Sequence, residues 1–254
     1  MIRTPLVKRN LGTEKDFVSR GGEVSRIEAF SDAVFAFGIT LIGVSLEVPK
    51  TFGELQATLL QGFLAFAFSF IMIMQVWYWH YKFFRRYGLQ DFYTITLNSI
   101  LLFVILFYIY PLKFLMNVAV TSFFHPIDNN IITDADFPKL MLIYSLGFVA
   151  VHVLFTLLYY HAYTKRMELK LNKIEVIITQ ASIQAYLVLA SVGLISIGFA
   201  AIGYATWAGL IYMILFPALY ISYGIFGRRK RKVKQSLVAA NNEQELARSS
   251  VTGE

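Results

Sequence analysis

Cysteine is absent from all 254 residues, which excludes disulfide frameworks, thiolate metal sites and cysteine nucleophiles at once. Charge is scarce: Asp, Glu, Lys and Arg make up 15% of the chain, whereas a water-soluble domain carries about a quarter. Histidine occurs four times, and His152 and His161 flank one apolar run without cysteine or carboxylate partners, so no metal site is expected there. There is no Walker-type phosphate loop, HExxH or GxSxG, which removes the usual routes to ATP-driven and hydrolytic chemistry. Neither enzymatic activity nor a cofactor is therefore expected. The N-terminal segment lacks the short apolar core of a signal peptide and is expected to stay uncleaved. No internal repeat is evident.

What remains is apolar. Hydrophobic residues make up 57% of the chain and the mean hydropathy is +0.57. Six separate apolar runs of about 20 residues each match the thickness of a bilayer, and a soluble fold with one core has no use for them. The runs cover roughly Val24 to Glu47, Phe52 to Phe84, Phe92 to Val118, Lys139 to Tyr163, Glu175 to Ile202 and Ala205 to Phe226. Pro49 stops the first run and Pro111 is expected to kink the third. Trp77, Tyr78, Trp79 and Tyr81, near the end of the second, fit an interfacial aromatic belt. The fold class expected is an all-α integral membrane protein with six spans. Its parts are an N-terminal segment (1–23), a six-helix domain (24–227) and a tail (228–254) that is basic and then disordered.

The 23 basic residues follow this topology and divide 20 to 3 between alternate loops. The richer side holds the N-terminal segment, Lys82, Arg85 and Arg86, the loop from Lys165 to Lys173, and the RRKRKVK run; the other side holds only Lys50, Lys113 and Lys139. The positive-inside rule then puts both termini in the cytoplasm. The RRKRKVK run reads as a topology anchor touching anionic lipid rather than a nucleic-acid site.

The first run is unusual in opening with Arg26, Glu28 and Asp32. Ionisable groups inside a spanning segment are functional candidates by default. At 100° per residue, Phe30, Val34, Phe37, Leu41, Val44 and Val48 share one face, a seam suited to packing identical helices about an axis. Beside it runs a stripe of small residues, Ala29, Ala33, Ala36, Thr40 and Gly43, permitting close approach. Ser31 and Asp32 point away, so a buried carboxylate facing the subunit's own bundle is expected, with Arg26, Trp77, Trp79 or His80 as its donor. On composition alone, the seam reads more readily as ordinary packing within one subunit than as the wall of a shared pathway.

The pattern R-x-x-x-F-S-D, here Arg26, Phe30, Ser31 and Asp32, followed by an apolar run ending in proline, resembles the signature of the transmembrane protein 175 family of potassium-permeable channels. Trp77 and His80 are similar to that family's second-helix W-x-x-H partner motif. The resemblance covers residues 20 to 230. It implies a homotetramer with four first helices lining a central pore, with the FSD and Trp/His residues holding the helix in place. It also implies a narrowest ring five positions after the aspartate. Family members place a large aliphatic residue there; this chain has Phe37, whose ring excludes water as an aliphatic group does but also offers a π-face to cations. Thr40, Leu41 and Val44 form the next rings. The single six-span repeat resembles prokaryotic members, implying a bacterial plasma membrane. TVGYG, whose carbonyls replace hydration water in ordinary potassium filters, is missing.

The expected function is thus a potassium-permeable channel with a hydrophobic constriction, with membrane lipids and three further copies of the chain as partners and no nucleic acid. The alternative is a proton-coupled secondary transporter using Asp32 and His80 as relay; a non-conducting scaffold is a third reading. Gln180 and Gln184 share a face of the fifth helix and are expected to bond another helix. Glu47, Glu54, Asp128, Asp134 and Asp136 make either an electronegative outer mouth or a solvated loop.

Overall fold

The computed structural model describes residues 16–44, 50–57, 62–124, 132–133 and 135–251, with backbone alone at 44, 54, 57, 216 and from 237 onward. Its elements are α1 (Arg26–Val44), α2 (Phe52–Ala57), α3 (Phe63–Tyr87), α4 (Phe92–Phe124), α5 (Phe137–Thr164), α6 (Lys173–Ala201), α7 (Ala205–Leu210), a 3-10 turn (Ile211–Ile214) and α8 (Leu215–Val251). Among the described residues, five helical stretches are long and apolar enough to cross a membrane: α3, α4, α5, α6, and α7 through α8 as far as Ser236. The charged α1 is not one of them, so a count of six requires that α1 cross as well.

Two boundaries differ from the hydropathy reading. The second run is described as α2 and α3, and residues 58–61 between them lie outside the described residues. The third continues to Phe124, with Pro111 inside the helix, because the residues after Val118 remain apolar or small. The tail, expected to be disordered beyond its basic run, is helical to Val251. Its Ala, Glu, Gln and Leu residues are strong helix formers, and no Gly or Pro interrupts them before Gly253.

The core is a layer of large side chains, including Leu101, Ile109, Phe155, Leu158 and Tyr159, each no more than 1% exposed. α5 and α6 pack most extensively on one another, α8 lies against α6, and α1 lies against α3 and α4. Trp79 departs from the expected interfacial belt: its ring meets Phe155 and Tyr186 edge-on at 6.1 and 5.7 Å, turned into the bundle. Gln180 does bond another helix, its Nε2 donating to the Tyr163 hydroxyl of α5 at 3.3 Å.

A strap of residues 16–25 draws the basic loops together at one end of the bundle. Arg20 donates through its guanidinium to both oxygens of the fully buried Glu175, at 2.7 and 3.1 Å. The backbone N–H groups of Val18 and Asn172 donate to the same carboxylate at 2.8 and 2.9 Å, so this buried anion is fully supplied with donors. Ser19 Oγ donates to the Arg85 carbonyl at 2.6 Å, and Arg85 donates back to the Gly22 carbonyl at 2.8 Å. Asp16 pairs with Lys230 at 2.8 Å and Lys234 at 3.2 Å, hydrogen bonds that hold its carboxyl below the usual range. The N-terminal strap, the α3–α4 loop, the α5–α6 loop and the basic run of α8 therefore share one end, as their charge pattern requires.

The strap's close approach to α3 depends on Gly88. This residue caps α3 at φ 60°, and a Cβ there would lie 2.8 Å from the Arg20 carbonyl oxygen. Gly88→Ala is expected to destabilise by about 1–2 kcal/mol from the left-handed backbone alone, with the clash added. A lowered melting midpoint in detergent checks this.

Candidate functional site

α1 begins with a reciprocal cap. The Ser25 N–H donates to Glu28 Oε2 at 2.9 Å and the Glu28 N–H to Ser25 Oγ at 3.3 Å, satisfying two of the first turn's orphan donors. Ser31, Phe35, Gly38 and Ile42, at helical spacing, are all buried. This face lies against α3 and α4. The approach is tight at Gly38, where a Cβ would meet Ile109 Cδ1 at 2.6 Å.

The motif residues sit on that packed side or at its edge, and an asparagine joins them. Asn98 of α4 is 1% exposed; its Nδ2 donates to Ser31 Oγ at 2.9 Å and its Oδ1 lies 2.8 Å from His80 Nε2. Ser31 Oγ donates in turn to the Ile27 carbonyl at 2.7 Å. The result is a buried ladder from α3 through α4 to α1. Beside it the Phe35 ring meets His80 edge-on at 5.5 Å, and Trp77 Nε1 donates to Asp32 Oδ1 at 2.8 Å. At the far end of α1, Lys113 Nζ donates to the Ile42 carbonyl at 3.1 Å, a cation where the helix dipole favours one.

Two expectations need correction. Asp32 is exposed rather than buried: 140° round the helix from Phe37, it falls at the edge of the packed face, where Trp77 alone of the expected donors reaches it. Arg26 is exposed, and among the described residues no hydrogen bond or ion pair reaches it. Asn98, the centre of the ladder, belongs to no motif; its only signal in sequence is that it is one of two amides, with Asn117, inside an apolar run. The cap at Ser25 and Glu28 was legible as S-x-x-E but formed no part of the expected site.

The opposite face of α1 is open. Phe30 is 63% and Phe37 57% exposed, and Ala29, Ala33, Ala36 and Thr40 are exposed beside them, while Val34 and Leu41 are half-buried at the margin. The side chain of Val44, together with Glu47, Val48, Pro49, the Glu54 side chain, Asp128 and Asp134, lies outside the described residues. Within the middle turns the open face is apolar apart from one hydroxyl. Thr40 Oγ1 donates its hydrogen to the Ala36 carbonyl at 2.9 Å, which leaves the oxygen's lone pairs facing outward. Of the expected outer acids, Asp136 is paired with Lys139 at 2.9 Å and bonded by Thr133 at 2.7 Å, interactions that keep its carboxyl below the usual range.

The geometry has relatives. The family model described as "Endosomal/lysosomal potassium channel TMEM175" matches residues 26–108, a stretch containing α1, α3 and every side chain of the ladder. The chain is 38% identical over 240 residues to a potassium channel of Marivirga tractuosa, spanning 90% of this chain and 96% of that one. It is 29% identical over 149 residues to a potassium channel of Chamaesiphon minutus, spanning 56% of this chain and 67% of that one. Among solved structures, a crystal structure of a variant of the potassium channel MtTMEM175 bound to a nanobody–MBP fusion is similar at a TM-score of 0.75. The two are 37% identical, over 87% of this chain and 100% of that one.

Proposed function

The chain belongs to the TMEM175 potassium channel family, and on that footing we propose that it is a potassium-permeable channel in which four copies of α1 surround a central pathway. Phe37 forms the narrowest ring, with Thr40, Leu41 and Val44 as its neighbours. The observation that carries this reading is the free face of α1. Two bulky phenyl groups and a stripe of small residues stand exposed on a helix whose other side is fixed to the protomer. An apolar face of this kind marks an interaction surface, and a ring of such faces can both pack and enclose.

In this arrangement the ladder of Ser31, Asn98 and His80 and the Trp77–Asp32 bond set the angle of α1, and none of them meets the ion. α1 is the sixth span, the basic end faces the cytoplasm, and the bilayer is a bacterial plasma membrane; the convergence of four basic segments supports the shared side of the termini. Without a TVGYG filter, selectivity comes from the Phe37 constriction and the Thr40 oxygens. The geometry does not favour the proton relay: an indole N–H only donates and Asn98 is an amide, so Asp32 and His80 end on groups that pass no proton onward.

Purified protein in planar bilayers under a KCl gradient tests the reading. Unitary currents reversing near the potassium equilibrium potential are expected. Saturable, pH-driven uptake without unitary currents would overturn it.

A further inference from the structure

Lys113 is the one charged residue among the 33 of α4. An ionisable group inside a spanning helix is costly and marks function through the partner that satisfies it. Here that partner is the backbone of α1: Lys113 Nζ donates to the Ile42 carbonyl at 3.1 Å. Ile42 lies in the last turn of α1, which ends at Val44, where carbonyls carry the negative pole of the helix dipole. Because the acceptor is backbone, Lys113 fixes the path of α1 and not one of its side chains. A lysine that only marked the membrane boundary would extend away from the bundle towards the headgroups; this one reaches onto a neighbouring helix.

Three contacts in register make up the seam between α1 and α4. At the basic end Asn98 meets Ser31 at 2.9 Å. In the middle Gly38 lies so close to Ile109 that a Cβ would stand 2.6 Å from its Cδ1. One turn further along both helices, Lys113 meets Ile42. The two helices therefore advance side by side in the same direction, pinned near one end by a buried amide and near the other by an ammonium. Phe37 falls between the pins, about 9 Å beyond Ser31 and about 7.5 Å short of Ile42 at 1.5 Å per residue. Apolar contact is non-directional: it resists separation of the helices without fixing how one is turned against the other. A charged donor on a carbonyl is directional and stronger than a neutral one, so it supplies what packing beyond Gly38 lacks.

We propose that Lys113 is a positioning residue for conduction: its ammonium holds the half of α1 beyond Gly38 at the angle that keeps Phe37 and Thr40 on the pathway. The inference rests on the reading that α1 lines that pathway, and it makes Lys113 the counterpart of the bond between Ser31 and Asn98.

Labelling of single buried cysteines by N-ethylmaleimide, read by intact mass on the full-length protein in detergent, tests the anchor. Ile42→Cys reports on the half of α1 that Lys113 holds, and Phe35→Cys on the half held by the ladder; the parent side chains are 1% and 2% exposed. Lys113→Met keeps the length and loses the charge. It is expected to speed labelling at position 42 about tenfold, the factor for losing one hydrogen bond to a charged group, and to leave the rate at position 35 unchanged. Lys113→Arg keeps a charged donor in reach and the parent's rate at both positions. In planar bilayers the Lys113→Met current is expected to break from one unitary amplitude into several, as α1 samples more than one angle. Unchanged labelling at position 42, equal acceleration at both positions, or an arginine variant labelled as fast as the methionine one would each overturn the proposal. So would a Lys113→Met channel with the parent's single amplitude. If neither the parent nor any variant conducts, the pore reading fails, and the labelling still decides whether Lys113 anchors α1. If Lys113→Met does not fold, Lys113→Gln, also uncharged, is read in the same way.

Discussion

Phe37→Ala is expected to raise potassium flux through the reconstituted protein about tenfold, equivalent to lowering the barrier by about 1.4 kcal/mol. The side chain is 57% exposed in the protomer, so its truncation removes little packing there, and surface substitutions of this kind usually stay within about 0.5 kcal/mol of the parent. The effect instead falls on the pathway. In the proposed tetramer, four phenyl rings converging on an axis would form an apolar constriction that excludes water, where a crossing ion must shed hydration. Four methyl groups leave room for that hydration to persist. Phe37→Leu, which restores an aliphatic side chain, should conduct within a few-fold of the parent. Liposome flux and single-channel recording both read the difference, and unchanged conduction in Phe37→Ala would contradict the assignment of Phe37 to the narrowest ring.

The second large effect concerns stability. Asn98→Ala is expected to cost about 2–4 kcal/mol, because it strips a partner from two buried groups at once and each unsatisfied group costs about 1–3 kcal/mol. His80, 2% exposed, loses its bond at Nε2, and Ser31, fully buried, loses the N–H that reaches its oxygen. Asp32→Ala removes only the bond from Trp77 at the exposed edge of α1 and should cost about 0.5–1.5 kcal/mol. Melting curves followed by fluorescence-detected size exclusion rank the two. If Asn98→Ala melts with the parent while Asp32→Ala is severely impaired, the ladder is not what anchors α1.

Comparison of the chain with its structure shows which physics is local. The fourth and fifth apolar runs match α5 and α6 to within two residues at each end, because Pro138 and the Asn172–Glu175 cap fix one end of each by neighbouring residues. The motif residues could be recognised in sequence, and so could the opposition of Ser31 to Phe37, since helical periodicity alone determines it. Their partners could not. Asn98 meets Ser31 across 67 residues and Arg20 meets Glu175 across 155, separations closed only by the packing of the helices. Asp32 was misjudged because a carboxylate among apolar residues suggests burial, whereas its angular position leaves it at the edge of the packed face.

The central claim is that the open face of α1 meets the ion and its packed face does not. A chain without cysteine permits a direct measurement: single cysteines on each face, challenged during recording with a small cationic thiol reagent. Thr40→Cys lies on the open face and Ile42→Cys on the packed one, where Ile42 is 1% exposed. Rapid block of the potassium current is expected in Thr40→Cys and none in Ile42→Cys. Block in Ile42→Cys with Thr40→Cys untouched would contradict the central claim.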